Sequence, residues 1–380
     1  MKKTVAVFFG GRSTEHDISI ITALSSVIKP LDLTKKYAVV PVYITKTGKW
    51  VTGDKLKDIA LFRSKKIDEY VAKSKAAKVS LDGGLVIDGT RIDVAFPAMH
   101  GPYGEDGSLM GFLRLAGIPF VGADMDASVM AMDKVLAKQV AVANNIPTSK
   151  FVFLTRASFN EDQKAAVKLA VSHLTFPMFV KPSHLGSSIG ITRTTNKDEL
   201  LNAIEVAAYY DEKIIIEEAV ANLIEVTVPI MGNATPKTAL VERPLSQDGE
   251  FFDFETKYIR GGGGKKTGGA KQSGAQGYSE LPAKLPGKLY EQSVETALAV
   301  YKALSITGMS RVDLLIDEKA KKVYFNEVNP LPGSLYAHNW RAAGIPPVKL
   351  VEEFIALAEE RFAEQAKVDT TFSSSFLQQF

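Results

Sequence analysis

Residues 311–329 read RVDLLIDEKAKKVYFNEVN: an apolar–polar alternation, a short polar turn and a second alternation. This is the pattern of a β-hairpin. Side chains two apart on a strand share a face, so Arg311 and Asp313 point one way while Val312 and Leu314 point the other. On the second strand Glu327 and Asn329 share a face, flanked by Phe325 and Val328. Pairing the strands brings an arginine, two carboxylates and an amide together. Carboxylates placed side by side need a cation or an arginine to neutralise them. Oxygen ligands of this kind suit Mg²⁺, which keeps several waters and binds one or two carboxylates plus substrate phosphates. A surface hairpin with solvated charges is the plain alternative, and the pattern alone leaves both open.

The chain around this hairpin has 380 residues, enough for roughly two or three domains. With 46% hydrophobic residues it can build sizeable cores, and a net charge of +3 gives no bulk attraction to nucleic acid or an acidic partner. The absence of cysteine excludes disulfides, thiolate metal sites and cysteine nucleophiles. The opening MKKTVAVFFGG has a short apolar run that ends at Gly10-Gly11, which reads as a first strand and not a signal peptide. No run approaches the ~20 apolar residues of a membrane span. The expectation is a soluble cytoplasmic protein with neither nucleic acid nor membrane as partner.

In chain order, a buried strand over 4–9, a Gly-Gly turn and a helix over 15–29 form a place where an anionic group can sit, although the dinucleotide pattern G-x-G-x-x-G is not met. Strands over 38–44 and 92–97 continue a β–α alternation suited to a parallel sheet. The lysine-rich stretch 55–78 between them reads as an exposed embellishment. Residues 100–107, HGPYGEDG, form a conformationally demanding loop at a strand's carboxyl end, which keeps His100 open as a ligand-contacting residue. A helix begins at Asp133-Lys134 and stops before Pro147. The strand over 178–181 ends in Lys181 and runs into PSHLGSSIG, where backbone amides and one cation could cradle a polyphosphate; a simple turn is the alternative. The strand over 213–218 ends in Glu217-Glu218, and Glu225 opens the next. Residues 257–277 hold eight glycines and, from Arg260 to Lys271, four cations without an acid. They cannot pack a core and read either as a mobile lid over a triphosphate or as a solvated linker.

Taken together, FFGGRSTEHDIS, HGPYGEDGSLMGFL, AMDKVLAK, FVKPSHLGSSIG, FFDFETKY, SRVDLLID and NEVNP resemble, in order, the motifs of the D-alanine–D-alanine ligases of the ATP-grasp superfamily. The resemblance runs over about 4–365. It implies an α/β plus α+β fold of three domains: a Rossmann-like N-terminal substrate-binding domain over 1–122, a central ATP-grasp subdomain over 123–222, and a C-terminal one over 223–366. A lid over 251–280 and a frayed tail over 367–380 complete the expected layout.

The resemblance also implies roles. Lys134 and Lys181 would contact ATP phosphates, Glu218 and Glu225 adenine and ribose, and Lys257 would approach the nucleotide. Asp313, Glu327 and Asn329 would hold two Mg²⁺ ions, with Mn²⁺ as a substitute, and Arg311 would neutralise the acyl-phosphate and the tetrahedral intermediate. Glu15 would receive the ammonium of the first D-alanine, His100 would lie near its carboxylate, and Ser187 and Tyr258 would join Glu15 in a network that orders the lid. A homodimer is expected by family analogy. Two departures stand out. The segment PLPGSLYAHNW keeps Gly333 but has His338 where the family has a serine for the second substrate's carboxylate, and Ser334 directly follows the glycine. The glycine-rich extension after Tyr258 is longer than the usual lid. Retention of Tyr258 itself favours an amino acid over a hydroxy acid as acceptor. The readings to be separated are a D-alanine–D-alanine ligase, a related ligase with another acceptor, and a nucleotide-binding regulatory protein without turnover.

Overall fold

The structure is a computed structural model and describes residues 2–64, 66–186, 188–245, 279–371 and 373–380. Strand Lys3–Gly10 is buried from Val5 onward, so it needs cover on both faces, as a parallel sheet provides. It pairs in parallel with Tyr37–Ile44 and with Val94–Pro97, while Trp50–Thr52 adds an antiparallel edge. Helix Ser108–Leu115 covers one face, burying Leu109, Met110 and Leu113 against Ala6 and Phe8. The other face carries a helical segment in three parts: His16–Ile21, a π-helical Thr22–Ile28, and Lys29–Thr34. Sequence reading ends this helix before Pro30. The structure carries Pro30 through, because the π-helical register changes back just where proline has no N–H to donate.

The lysine-rich stretch departs from expectation. It folds into a 3₁₀ turn, Asp54–Lys57, and two helices, Ile59–Arg63 and Lys66–Lys73. Leu56 is fully buried, and the Phe62 ring lies 5.9 Å from Phe9 and 5.2 Å from Tyr43. Lys55, Lys66, Lys73, Lys75 and Lys78 are exposed, but the apolar residues between them cover the edge of the first core.

A second sheet is antiparallel throughout, in the order Thr192–Thr194, Met178–Pro182, Lys213–Glu218, Phe151–Thr155. Helices Gln163–His173 and Lys197–Tyr210 pack on one face, against Met178, Val180, Ile214 and Ile216. By strand alternation Lys181 and Glu217 lie on the other face. The third sheet runs Lys237–Thr238, Leu223–Gly232, Gly308–Asp317, Lys322–Asn329, also antiparallel. Helices Leu289–Ala303, Met125–Met132 and Lys134–Ala143 pack against it. The second of these is absent from the sequence reading. The last long helix, Pro347–Gln365, reaches beyond the third sheet: Leu350, Val351, Phe354, Ile355 and Ala358 share one core with the first sheet and with Met231 and Met309 of the third.

Candidate active site

The hairpin forms as its alternation requires, with Arg311 opposite Asn329 and Asp313 opposite Glu327. Val312, Leu314 and Ile316 are buried on the far face. The register shifts between Asp313 and Leu314, so Asn326 is an extra residue on the second strand. Such a bulge re-aims the side chains beside it. The four residues expected to share a face therefore do so, and Asn326 joins them. Arg311 grips Asp313 with two bonds, Nε to Oδ1 at 2.7 Å and Nη2 to Oδ2 at 2.6 Å. Asn329 Oδ1 accepts from the Leu331 amide. Asp313, Glu327 and Asn329 offer only oxygen donors, and just two of them are charged. That set suits an ion that shares its remaining positions with water and phosphate oxygens. Among the described residues no group of three or more His, Cys, Asp or Glu forms a self-sufficient metal cage.

Lysines meet this face from the second sheet and its neighbouring helix. Lys134, the first residue of its helix, is buried, with Nζ 3.3 Å from Glu327 and donating to the Leu185 carbonyl at 2.7 Å. Lys181 donates to Asn326 Oδ1 at 3.3 Å and sits 2.6 Å from Glu217. Glu217 is also paired with the fully buried Lys138 at 2.7 Å and accepts from Ser149 Oγ. Burial would raise the Glu217 carboxyl, but the two ammonium groups outweigh it and hold the group well below the usual carboxylate range. Burial pushes both lysines down as well. For Lys181 the Glu217 carboxylate more than offsets this, with Glu327 and Glu225 adding to it, and the net shift is upward; for Lys138 burial prevails. One buried anion thus serves two buried cations, Lys138 and Lys181.

The loop after Lys181 is anchored by a second network. Asp133 caps its helix through the Val135 and Leu136 amides and accepts from Ser183 Oγ at 2.6 Å. Its other oxygen meets Lys213 and lies 3.4 Å from His184. Hydrogen bonding to Asp133 and to Asp211 raises the His184 ring to about 9, so it is charged at neutral pH. Glu218 turns the other way, accepting from the Thr175 amide and hydroxyl at 2.8 and 2.9 Å. Glu225 lies on the next strand of the chain, in the third sheet, opposite Leu315.

The first sheet contributes Glu15, buried at the mouth of its helix. The glycine loop after Lys181 reaches it: a Cβ on Gly186 would stand 3.3 Å from Glu15 Oε2. In HGPYGEDG, Gly101, Tyr103 and Gly107 all have positive φ, as a demanding loop should. His100 is buried, and burial lowers its ring despite the nearby Glu15. Glu105 is buried too; burial, then the charge of Glu15, pushes it up to about 8. Beyond Asn329, an added Cβ on Gly333 would meet no described atom within 4 Å. Ser334, Leu335 and Tyr336 are three consecutive left-handed residues, with φ of 52°, 54° and 51°. His338 Nε2 lies 2.8 and 3.0 Å from the two oxygens of Glu242, which also accepts from Asn339, and its ring packs on Tyr336.

Ser187, Lys257, Tyr258 and most of the expected lid lie outside the described residues. Of the other expected site residues, Lys134 meets Glu327, Lys181 meets Asn326 beside it, and Glu15 lies against the loop after Lys181, whereas Glu218 bonds Thr175 and His338 bonds Glu242. Sequence reasoning missed Asn326, Lys138, His184, Glu105 and Glu242 as site residues. For Asn326 a signal existed: apolar Val323, Phe325 and Val328 break the period of two between the last pair. For Lys138 it was a cation within an otherwise apolar helix face.

With this geometry in view, comparisons with known proteins are decisive. The D-ala D-ala ligase N-terminus model matches residues 4–123 and the D-ala D-ala ligase C-terminus model matches 140–356. The chain belongs to the D-alanine–D-alanine ligase family. Among the family's members, the D-alanine–D-alanine ligase of Clostridium acetobutylicum is 37% identical, over 95% of this chain and 99% of its own. Two solved structures frame the fold. The D-alanine-D-alanine ligase from Coxiella burnetii superposes with a TM-score of 0.80 at 26% identity, covering 96% of each chain. The VanG D-Ala:D-Ser ligase from Enterococcus faecalis gives 0.77 at 31% identity, covering 94% of this chain and all of that one. The α/β plus α+β, ATP-grasp architecture of the family is therefore the architecture of this chain. Among the described residues no helix is long and apolar enough to cross a membrane.

Proposed function

We propose that the protein joins two D-alanine molecules at the expense of ATP, supplying D-alanyl-D-alanine for peptidoglycan precursor synthesis. The observation that carries this reading is the convergence of Asp313, Glu327 and Asn329 on one hairpin face with Lys134 and Lys181 beside them. Carboxylates are poor electrophiles, so the first D-alanine is phosphorylated to an acyl-phosphate; the amine of the second attacks it, and phosphate leaves. Such a reaction needs no protein nucleophile. It needs positioning and charge neutralisation in a site that excludes water. Two Mg²⁺ ions held by Asp313, Glu327 and Asn329, with Mn²⁺ as a substitute, would supply neutralisation of the phosphates. Lys134 and Lys181, the latter kept charged by Glu217 though buried, bind phosphate oxygens. Arg311, planar and always charged, faces the charge that develops on the acyl group, and Glu15 binds the first ammonium with His100 near the carboxylate. Ser187, Tyr258 and Lys257 complete the closed site, while Glu218 and Glu225 bind adenine and ribose; Glu218 must then exchange its Thr175 bonds for the nucleotide. Gly333, Ser334 and His338 line the acceptor side. The domain limits 1–122, 123–222 and 223–366 belong to the same proposal.

Phosphate release with ATP, Mg²⁺ and a panel of D-amino acids, dipeptides and D-hydroxy acids tests it. D-alanine alone should support turnover and yield the dipeptide. Turnover only with another acceptor would reassign the second subsite, and ATP binding without turnover on any acceptor would refute the enzyme reading.

A further inference from the structure

One buried hydroxyl is not absorbed by these roles. Thr22 has no exposed surface and opens the π-helical stretch Thr22–Ile28, a backbone irregularity that tends to occur at functional sites. Its Oγ1 accepts from the Ser334 amide at 2.9 Å and lies 2.8 Å from His100 Nε2. The His100 ring also bonds the Leu331 backbone, a bond that favours the protonated ring and so is donated by it. With one N–H of the neutral ring given to Leu331, Nε2 is an acceptor, and the Thr22 hydroxyl hydrogen goes to it. The order is continuous: Ser334 N–H to Thr22 Oγ1, Thr22 O–H to His100 Nε2, His100 N–H to Leu331. Two residues of the first domain thereby pin both ends of the segment that leads from Asn329 into the left-handed turn. Each residue of that turn is in a conformation L-residues disfavour, so the turn needs external anchors to keep its shape.

We infer that Thr22 is a positioning residue that ties the first amino-acid subsite, at His100, to the acceptor-side turn, at Ser334. It touches neither substrate. It sets which nitrogen of His100 carries the proton and holds the turn at the height where the second amino acid is received, so that the acceptor subsite is in register only with a correctly oriented His100. This inference rests on the proposed roles of His100 and Ser334.

Thr22→Val keeps the shape and removes the hydroxyl; Thr22→Ser keeps the hydroxyl. Initial rates of phosphate release against D-alanine at saturating ATP separate the two D-alanine KM values. A buried amide left without its acceptor forfeits a large share of its binding free energy, and Thr22→Val should raise the acceptor KM by about tenfold or more, with Thr22→Ser within about twofold of the parent. The hydroxyl hydrogen on Nε2 favours the neutral ring, so its loss should also move the acid limb of kcat/KM to higher pH. The charged groups that act on His100 and set the baseline, Glu15 and Arg311, are unchanged in both variants. If Thr22→Val does not fold, Thr22→Ala is read in the same way. A lower melting temperature with both KM values and the pH profile unchanged would overturn the inference, as would a change confined to the first-substrate KM. His100→Gln is the control: if it leaves both KM values at the parent level, the assignment of His100 to the substrate site fails, and the inference falls with it for that separate reason.

Discussion

Glu217→Gln exchanges one buried oxygen for an amide and leaves Lys138 and Lys181 without a counter-ion. The carboxylate lies 2.7 and 2.6 Å from the two ammonium groups, and all three side chains are buried. Removing one partner of a buried pair costs about 3–5 kcal/mol, and glutamine can still accept from one lysine, so the lower end is expected. On stability, Glu217 is a depressed carboxyl: its contribution is present above the unfolded value of 4.5 and is lost as pH falls through its lower folded value. The Glu217 part of the gap in unfolding free energy between parent and variant should therefore close as pH falls into acid. A melting temperature roughly 4 °C or more below the parent follows. On function, loss of the nearest carboxylate leaves burial opposed only by Glu327 and Glu225, and the lysines shift toward the neutral amine that burial favours. ATP KM of the variant should rise with pH across the neutral range and recover as pH is lowered, while that of the parent stays level. Urea or thermal unfolding and phosphate-release kinetics at several pH values measure both. A variant with the parent's melting temperature and a pH-independent ATP KM would refute the reasoning that one anion keeps the phosphate-facing lysine charged.

Asp313→Asn removes one of two facing carboxylates, and the Mg²⁺ concentration for half-maximal phosphate release should rise on the order of 10- to 100-fold. The His184 ring should titrate near pH 9 by NMR, its stabilising contribution complete below 6.5 and lost as pH rises through about 9; Asp133→Asn should bring the midpoint back toward 6.5. Phe354→Ala, deep in the first core, should lower unfolding free energy by about 3–5 kcal/mol in denaturant titrations.

Much of this was legible because it depends on local periodicity. The alternation in 311–329 names the facing residues of the hairpin, and the apolar run in Lys213–Glu218 marks a buried strand. Long-range choices were not legible. Apolar Leu350, Val351, Phe354 and Ile355 mark a helix face, but nothing local says that the face belongs to the first sheet. Helix Met125–Met132 escaped because alanine and methionine surround it without a clear polar stripe, although Asp124 caps it as a sequence signal would. The bulge at Asn326 was readable only by taking a broken period seriously. The buried Lys138–Glu217–Lys181 set unites positions from a helix and two strands, and only the tertiary arrangement turns three charges into one site.

The helix Pro347–Gln365 gives the chain an order of assembly. The first sheet is complete once residue 97 has been made, yet the apolar surface that covers Val5, Val7 and Leu31 includes Leu350 and Phe354. A nascent chain cannot finish its first core until synthesis has reached the last helix, so the region made first is among the last to become secure. Contacts of such long sequence separation slow folding and leave apolar surface open meanwhile. A ribosome-stalled or truncated product ending before residue 347 would present that surface to chaperones and proteases, and quality control would therefore read the completeness of the chain at its oldest end.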